Sequence, residues 1–309
     1  MPLRHSLLAV LVMVIWGANF LAIDLGVDDV SPALFVAIRF VVVLVPAIFL
    51  VPRPAVPLKD VLVVGLFLSL GQFGLMYTAI WLDMPPGLAS LVLQAQVVLT
   101  VLIAGVALRE RPTVPQLVGV LLGAVGLVIV GIGRSAATPA LAFLLTLAAA
   151  ASWATGNVIV RRLGSATQAT GARQSPLAGL SMTVWSALVV PVPMFALAVV
   201  LDGPSAVGHA LTHPTWAAVL STLYTAWLAS LVGYGVWNTL LDRYRAGAVV
   251  PFTMLVPVVG MSVAWLVQDE VPNVAEAGGG LLLLLGVAIT SGLLRWPGRP
   301  RYGSAASSA

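Results

Sequence analysis

Ten long apolar stretches alternate with short polar segments along this chain, and each has about the length that an α-helix needs to cross a bilayer. In lipid, only helices and closed barrels satisfy their own backbone hydrogen bonds. Barrel strands would alternate polar and apolar residues, whereas runs such as 142–151 and 281–289 do not. The pattern therefore predicts an all-α membrane protein. Its ten transmembrane helices are predicted at residues 6–23, 32–51, 60–80, 87–107, 115–132, 140–160, 178–200, 215–240, 247–267 and 275–294.

Composition agrees with this class, and the basic residues predict the orientation. The chain is 60% hydrophobic and 8% charged, unlike a soluble domain of 309 residues. Its pI near 10.0 reflects clusters in alternate loops, so no nucleic-acid partner is expected. Of the 15 Lys and Arg residues, 13 fall on one side, Arg134 falls on the other, and Arg39 lies within the second span. This bias predicts a multi-pass protein of the bacterial inner (plasma) membrane with both termini in the cytoplasm. Residues 295–309 are predicted to be a disordered cytoplasmic tail.

A weak internal repeat divides the chain into two five-helix halves, predicted at residues 1–135 and 136–294. The halves align at a shift of 137 residues near their starts, where Trp16 falls on Trp153, and at a shift of 160 near their ends. Because five is odd, the halves must have opposite orientations, which is the inverted repeat common in secondary transporters. Chance similarity among Leu-, Val- and Gly-rich helices is the alternative. The pairs at the shift of 160 are Glu110 with Glu270, Pro112 with Pro272, Gly119 with Gly279 and Gly126 with Gly286.

Two further expectations concern helix ends and helix bending. Glu110 and Glu270 stand beside prolines at loop ends, where each is expected to cap the helix that follows. Pro251 and Pro257 fall inside the ninth span and remove two backbone donors, which predicts a kink or an opening there.

Seven short motifs occur in a fixed order along the chain, at residues 15–20, 34–40, 71–73, 84–96, 151–157, 232–237 and 255–260. In order and spacing they resemble the EamA-type transporters of the drug/metabolite transporter superfamily, over residues 5–294. The likeness is greatest to amino-acid metabolite exporters, including O-acetylserine/cysteine efflux pumps. The resemblance implies a ten-helix inverted-repeat fold and export of small metabolites. Asp24 departs from the family, in which a lysine often follows the first span.

Polar and aromatic side chains inside the spans are the candidate substrate-binding groups, because polar groups in hydrocarbon need a partner. On spans one and six, Trp16 with Asn19 and Trp153 with Asn157 share helical faces. Aromatic walls would accept an apolar substrate part, and amides would bind its polar ends. Interhelical hydrogen bonding and interfacial anchoring are the alternative. The candidates are Trp16, Asn19, Phe20, Arg39, Gln72, Gln94, Gln96, Trp153, Asn157, Tyr234, Trp237 and Asn238.

Arg39 is the one cationic residue predicted within a span. Its side chain could extend outward to the interface, bind a substrate carboxylate or bridge helices as a structural donor. All three roles are compatible with its position about seven residues into the second span.

Enzyme chemistry is not predicted. His209 and His213 have i, i+4 spacing in a predicted outer loop, but no third ligand accompanies them, so no metal is expected. The chain has no G-x-x-x-x-G-K-[ST] loop and no cysteine, and no cofactor is expected. A membrane-embedded enzyme acting on lipid or nucleotide-sugar would require clustered carboxylates or histidines near the membrane–water interface. A passive channel would need a continuously open polar path.

The sequence thus predicts a secondary transporter that exports small amino-acid-like metabolites by alternating access. A broad exporter of amphipathic drugs and an uptake carrier are the alternatives. The predicted partners are a small-molecule substrate, such as an amino acid or derivative, and membrane lipid. The coupling partner is a proton or an exchange substrate, and the functional unit is a monomer or a homodimer.

Overall fold

The computed structural model describes residues 1–135, 138–169, 178–244 and 246–293. All regular secondary structure in these ranges is helical. Among the described residues, nine helices are long and apolar enough to cross a membrane, and a tenth apolar helix of 17 residues is shorter. They are α1 (Leu3–Val27), α2 (Pro32–Leu50), α3 (Leu58–Trp81), α4 (Pro86–Ala107), α5 (Val114–Gly133), α6 (Ala140–Gly164), α7 (Leu180–Asp202), α8 (Trp216–Leu241), α9 (Val250–Gln268) and α10 (Val274–Thr290).

Each predicted span coincides with one of these helices, so the all-helical membrane class is confirmed. The predicted tail at 295–309 lies outside the described residues. The segment with His209 and His213, predicted as a loop, instead contains a short helix at Pro204–Thr212. The two imidazole rings stack with their centroids 4.7 Å apart. Within the described ranges, no group of three or more His, Cys, Asp or Glu could hold a metal ion.

Hydrogen bonds between sequence-distant loops define two ends of the helix bundle. At one end, which we call the acidic end, Thr215 donates to Asp29 over 2.5 Å, and the backbone N–H of Ser135 donates to Glu276 over 3.2 Å. At the other, which we call the basic end, Arg161 pairs with Glu110 at 3.0 Å. Loops and helix ends that belong to one predicted side of the membrane therefore contact one another.

Helix packing links the two halves throughout. Helix α5 packs along α10, α1 packs against α8 and α9, and α4 packs against α6 and α9. Glycines allow the closest approach: a Cβ on Gly119 would lie 2.6 Å from the carbonyl oxygen of Gly286, and one on Gly126 would lie 2.5 Å from that of Gly279. We call this contact the glycine seam. Small residues commonly let membrane helices approach in this way.

Five of the described helices are irregular, and one of them, α7, contains a 3-10 segment at Ala187–Val189. Helix α3 contains a π segment at Leu66–Gly71, and α8 contains one at Tyr224–Val232. Helix α4 is interrupted at residues 93–94. Helix α9 begins with a 3-10 turn at Val250–Met254, which includes Pro251, whereas Pro257 lies in the regular α-helical part at Leu255–Gln268. Such interruptions free backbone groups inside the membrane, where neighbouring helices must satisfy them.

The expectation that Glu110 and Glu270 cap the helices that follow them is wrong. Thr113 forms a capping box with Gln116 at the start of α5, and Asn273 forms one with Glu276 at the start of α10. Side chains closer to each helix start therefore satisfy its free N–H groups. Glu270 instead accepts hydrogen bonds from the first turn of α4, described below.

Candidate functional site

The twelve candidate residues all lie inside the bundle or at partly covered positions of it, and none is exposed. Half are buried and half are half-buried. The buried residues are Asn19, Phe20, Arg39, Gln72, Gln94 and Trp237, and the half-buried residues are Trp16, Gln96, Trp153, Asn157, Tyr234 and Asn238.

Arg39 is almost completely buried, with 2% of its surface exposed. One terminal nitrogen donates a hydrogen bond to the hydroxyl of Tyr77 on α3 over 2.7 Å, and the other donates to Ser230 on α8 over 3.1 Å. Its Cζ lies 4.2 Å from the centre of the Phe73 ring, within cation–π range. The side chain therefore bridges three helices and does not extend outward to the interface.

The π segment of α8 provides part of this arrangement. The Ser230 hydroxyl donates to the carbonyl of Thr225, five residues earlier, over 2.9 Å. The indole of Trp16 donates to the carbonyl of Ala229 over 2.9 Å. Carbonyl groups that the π geometry exposes are thus satisfied by side chains, and α1 and α2 are both held against α8.

An aromatic cluster joins α1 to α8 one turn further along. The ring centroid of Trp16 lies 5.0 Å from that of Tyr234 and 5.5 Å from that of Trp237, both in tilted geometry. Close approach of Trp16 needs a glycine on the facing helix, since a Cβ on Gly233 would lie 2.6 Å from the indole nitrogen. Three of the predicted aromatic residues therefore form one wall.

A second group of polar contacts surrounds the interruption of α4. Asn157 on α6 donates to the side-chain oxygen of Gln96 over 3.2 Å. The amide of Gln94 approaches the carbonyl of Thr253, in the 3-10 turn of α9, at 3.5 Å. Amides from both halves thus meet where α4 and α9 are both irregular.

Buried polar atoms that lack a partner concentrate among the candidates. Among the described residues, five buried side-chain atoms have no hydrogen-bond partner, and three belong to candidates: Asn19 Oδ1, Arg39 Nε and Asn238 Nδ2. A buried donor or acceptor without a partner is costly and is normally satisfied by water or a ligand. These three atoms indicate where polar groups of a ligand would bind.

The remaining candidates are less informative. Phe20 belongs to the apolar core, and Trp153 packs against that core. Two cavities, of about 520 Å³ between α2, α3 and α7 and about 330 Å³ between α5 and α6, contain none of the twelve candidates.

Sequence reasoning missed Tyr77 and Phe73, both of which contact Arg39. They are four residues apart on α3, so they share a helical face. That spacing beside the single intramembrane arginine is the signal that could have identified them.

Comparisons with known proteins show the family to which this chain is similar along nearly its whole length. The model of the EamA-like transporter family matches residues 3–132 and again residues 140–292. A relative from Escherichia coli strain K12, named a probable amino-acid metabolite efflux pump, is 39% identical and covers 98% of this chain and 100% of its own length. A relative from Salmonella typhimurium with the same name is 38% identical and covers 94% and 95%.

A solved crystal structure shares the fold. It is 20% identical in sequence, with a TM-score of 0.59, and the match covers 95% of this chain and 98% of the other. At that identity, the likeness concerns the fold alone.

Proposed function

Because this chain belongs to the EamA-like transporter family, it is an integral membrane transporter, and we propose that it exports small amino-acid-like metabolites by alternating access. The names of the two bacterial relatives, probable amino-acid metabolite efflux pumps, support the choice of substrate. The observation that carries the proposal is the buried guanidinium of Arg39, whose two hydrogen-bond partners are neutral hydroxyls.

A buried cation without an opposite charge is costly, so a site that keeps one is suited to an anionic ligand. The unpartnered Nε of Arg39 is a free donor for a carboxylate oxygen. In the proposed complex, the substrate carboxylate binds Arg39 and displaces part of its contact with Tyr77 or Ser230.

The rest of an amino acid would fit the aromatic wall. Ser230 and Tyr234 are four residues apart on α8, about 6 Å along a helix axis. A carboxylate at Arg39 would therefore lie about one helical turn from the rings of Trp16 and Tyr234. Aromatic faces accept both an apolar side chain and an ammonium group. Asn19 and Asn238, each with an unpartnered atom, would orient further polar groups.

We propose two inverted five-helix repeats, at residues 1–135 and 136–294, as the basis of alternating access. Reciprocal contacts support this proposal. At the shift of 160 residues, Gly119 corresponds to Gly279 and Gly126 to Gly286, and in the glycine seam Gly119 faces Gly286 while Gly126 faces Gly279. A twofold axis between the halves would produce this exchange of partners.

The capping boxes support the same axis. Thr113 and Gln116 at the start of α5 correspond to Asn273 and Glu276 at the start of α10, again at a shift of 160. Matching helix starts in two different halves are expected if both descend from one repeat. The short helix α10 would then be the tenth span, equivalent to α5.

For localisation, we propose the bacterial inner membrane, with both termini and the basic end in the cytoplasm and the acidic end in the periplasm. The driving force would be a proton gradient or exchange against a second metabolite. The functional unit would be a monomer or a homodimer.

Counterflow in proteoliposomes tests the function. Vesicles loaded with an unlabelled amino acid should transiently accumulate the same labelled amino acid, and the flux should saturate. The panel should pair each amino acid with its methyl ester, which lacks the carboxylate charge. Accumulation of the ester to the same extent would contradict the carboxylate site, and flux without counterflow would favour a channel.

A further inference from the structure

We propose that Glu270 is a positioning residue of transport: its carboxylate holds the first turn of α4 in place and thereby closes the substrate site at the acidic end. This inference rests on the alternating-access function proposed above. It assigns a role to a carboxylate that lies between α9 and α10, outside the twelve candidate residues.

The contact joins the two halves across a long sequence separation. One carboxylate oxygen of Glu270 accepts from the backbone N–H of Gly87 over 2.9 Å, and the other accepts from that of Leu88 over 3.0 Å. The first N–H groups of a helix have no partner within it, and a carboxylate satisfies them with favourable charge. Here the carboxylate comes from the other half of the chain.

Residues on both sides of this contact allow the carboxylate of Glu270 to approach α4 closely. A Cβ on Gly87 would lie 2.8 Å from one carboxylate oxygen of Glu270 and 3.1 Å from the Cα of Met261. A side chain at position 87 would therefore push the carboxylate and α9 away. Asp269, next to Glu270, has a left-handed backbone with φ of 56°, which turns the chain so that Glu270 can reach α4.

The segment that Glu270 holds covers the polar centre of the bundle. Every residue from Pro86 to Val92 is buried, and Ser90 packs against Gly260 of α9. Helix α4 is interrupted directly after this segment, at residues 93–94, and the candidates Gln94 and Gln96 follow. The interruption allows the segment to move without the rest of α4, so its release would expose those amides to the acidic end.

The repeat supplies a counterpart at the basic end. At the shift of 160 residues, Glu110 corresponds to Glu270, and Gly247 before α9 corresponds to Gly87. In this conformation Glu110 pairs with Arg161 at 3.0 Å. When the site faces the acidic end, Glu110 would leave Arg161 and accept hydrogen bonds from the first turn of the α9 region. Glu270 would then close the acidic end in one conformation, and Glu110 would close the basic end in the other.

Accessibility of a single cysteine tests the role of Glu270, since the natural chain has no cysteine. Ser90→Cys places a buried thiol within the held segment, and a membrane-impermeant thiol reagent is added outside intact cells. Glu270→Gln replaces one acceptor with a donor that faces an amide N–H. Loss of a hydrogen bond to a charged group corresponds to roughly a tenfold change in an equilibrium, so labelling should accelerate by about tenfold or more.

A second variant separates reach from charge. Glu270→Asp keeps the carboxylate but is one methylene shorter, so it should accelerate labelling as Gln does. Glu110→Gln should have the opposite effect and slow the labelling of Cys at position 90. The pair with Arg161 that it loses in this conformation is exposed and contributes little, whereas closure of the basic end is weakened. Asp269→Asn is the matched control, since it removes the neighbouring charge and tolerates the left-handed backbone, and it should label at the rate of the parent.

Labelling rates need no substrate, so this test is independent of the cargo proposed above. Unchanged labelling in both Glu270 variants, with normal expression, would overturn the role of Glu270 while leaving the transport function intact. Faster labelling in both, together with absent counterflow for every amino acid tested, would instead support the role of Glu270 and contradict the proposed cargo.

Discussion

The guanidinium of Arg39 lies 4.2 Å from the centre of the Phe73 ring, in the interior of a bundle that crosses a membrane. The ring and the hydroxyls of Tyr77 and Ser230 offset part of the cost of burying this charge. None of these partners is an anion. A substrate carboxylate would complete the coordination of Arg39.

Arg39→Ala should lower export by about tenfold or more, because a substrate carboxylate loses a charged hydrogen-bond donor. Arg39→Lys keeps the charge but lacks the planar fork, so it should restore only part of the activity. Initial rates of efflux, normalised to protein in the membrane, are the measurement. Arg53→Ala, which removes an exposed arginine, is the control. Normal export by the Ala variant would leave a purely structural role for Arg39.

The aromatic wall and the two amides on corresponding helices give the second prediction. Trp16→Ala removes the ring that contacts Tyr234 and Trp237, and we expect roughly tenfold weaker substrate binding. Asn157→Ala should weaken binding through the loss of its amide. Saturating substrate should also slow thiol labelling of Asn19→Cys. Trp216→Ala, at a tryptophan that is 80% exposed, is the control. If both Ala variants transport normally and labelling is unchanged, these residues serve only in packing.

The helices were predictable because a helix that crosses a membrane has a recognisable hydropathy pattern. Each span must be continuously apolar over about twenty residues, so length and composition alone located them. Arg39 and the Trp16 face were also evident, since a charge or a polar stripe in a span is rare. These features depend mainly on the lipid environment and only weakly on the neighbouring helices.

The irregular features could not be predicted, because they depend on contacts with residues that are distant in sequence. The π segment at Tyr224–Val232 is stabilised by Trp16 and Arg39, which lie about 190 or more residues away in sequence. The cap that Glu270 provides to α4 likewise depends on how two halves pack. The local sequence does not indicate which distant residues will contact a given side chain. The prediction that Glu270 caps the following helix was wrong for this reason.

The glycine seam gives a stability prediction. A Cβ on Gly279 would lie 2.7 Å from the carbonyl oxygen of Gly126, whereas one on Gly278 would meet no atom within 4 Å. Gly279→Ala should therefore destabilise the protein by about 1–3 kcal/mol, as overpacking typically does, and Gly278→Ala should not. Melting of the purified protein in detergent compares the two adjacent positions. Equal melting temperatures would contradict the close approach of α5 and α10.

The pH dependence of stability follows from Glu270. Burial raises the pKa of its carboxyl above the ordinary range, with Glu276 and Asp24 adding to the rise, while the hydrogen bonds from Gly87 and Leu88 lower it. The folded protein therefore binds this proton more tightly than the unfolded chain does. Stability contributed by the protonated form is fully present below the ordinary range of a glutamate and is lost as pH rises through the raised pKa.

Melting temperatures measured across this window should therefore fall with rising pH in the parent protein. The slope should be smaller in Glu270→Gln, because that variant cannot ionise at this position. Asp269→Asn should keep the slope of the parent. A slope that is the same in Glu270→Gln and the parent would assign the dependence to other groups.

Orientation is testable on the same cysteine-free chain. A cysteine at Ser205, near the acidic end, should react with an impermeant reagent outside intact cells. A cysteine at Ala55, near the basic end, should react only after the membrane is permeabilised. Both positions are exposed, so reactivity reports the side of the membrane. The reverse pattern would contradict the proposed topology.

The π segment of α8 also sets the angular phase of everything after it. An α-helix turns about 100° per residue, so one additional residue in a turn rotates all later side chains by that angle. Ser230 faces Arg39 from within the segment, and Tyr234 faces Trp16 just beyond it. Deleting one residue between Tyr224 and Val232 would restore a regular helix and swing Tyr234 and Trp237 away from Trp16. The side chains that contact the guanidinium and those that contact the indole are thus brought onto one surface by a single helical insertion.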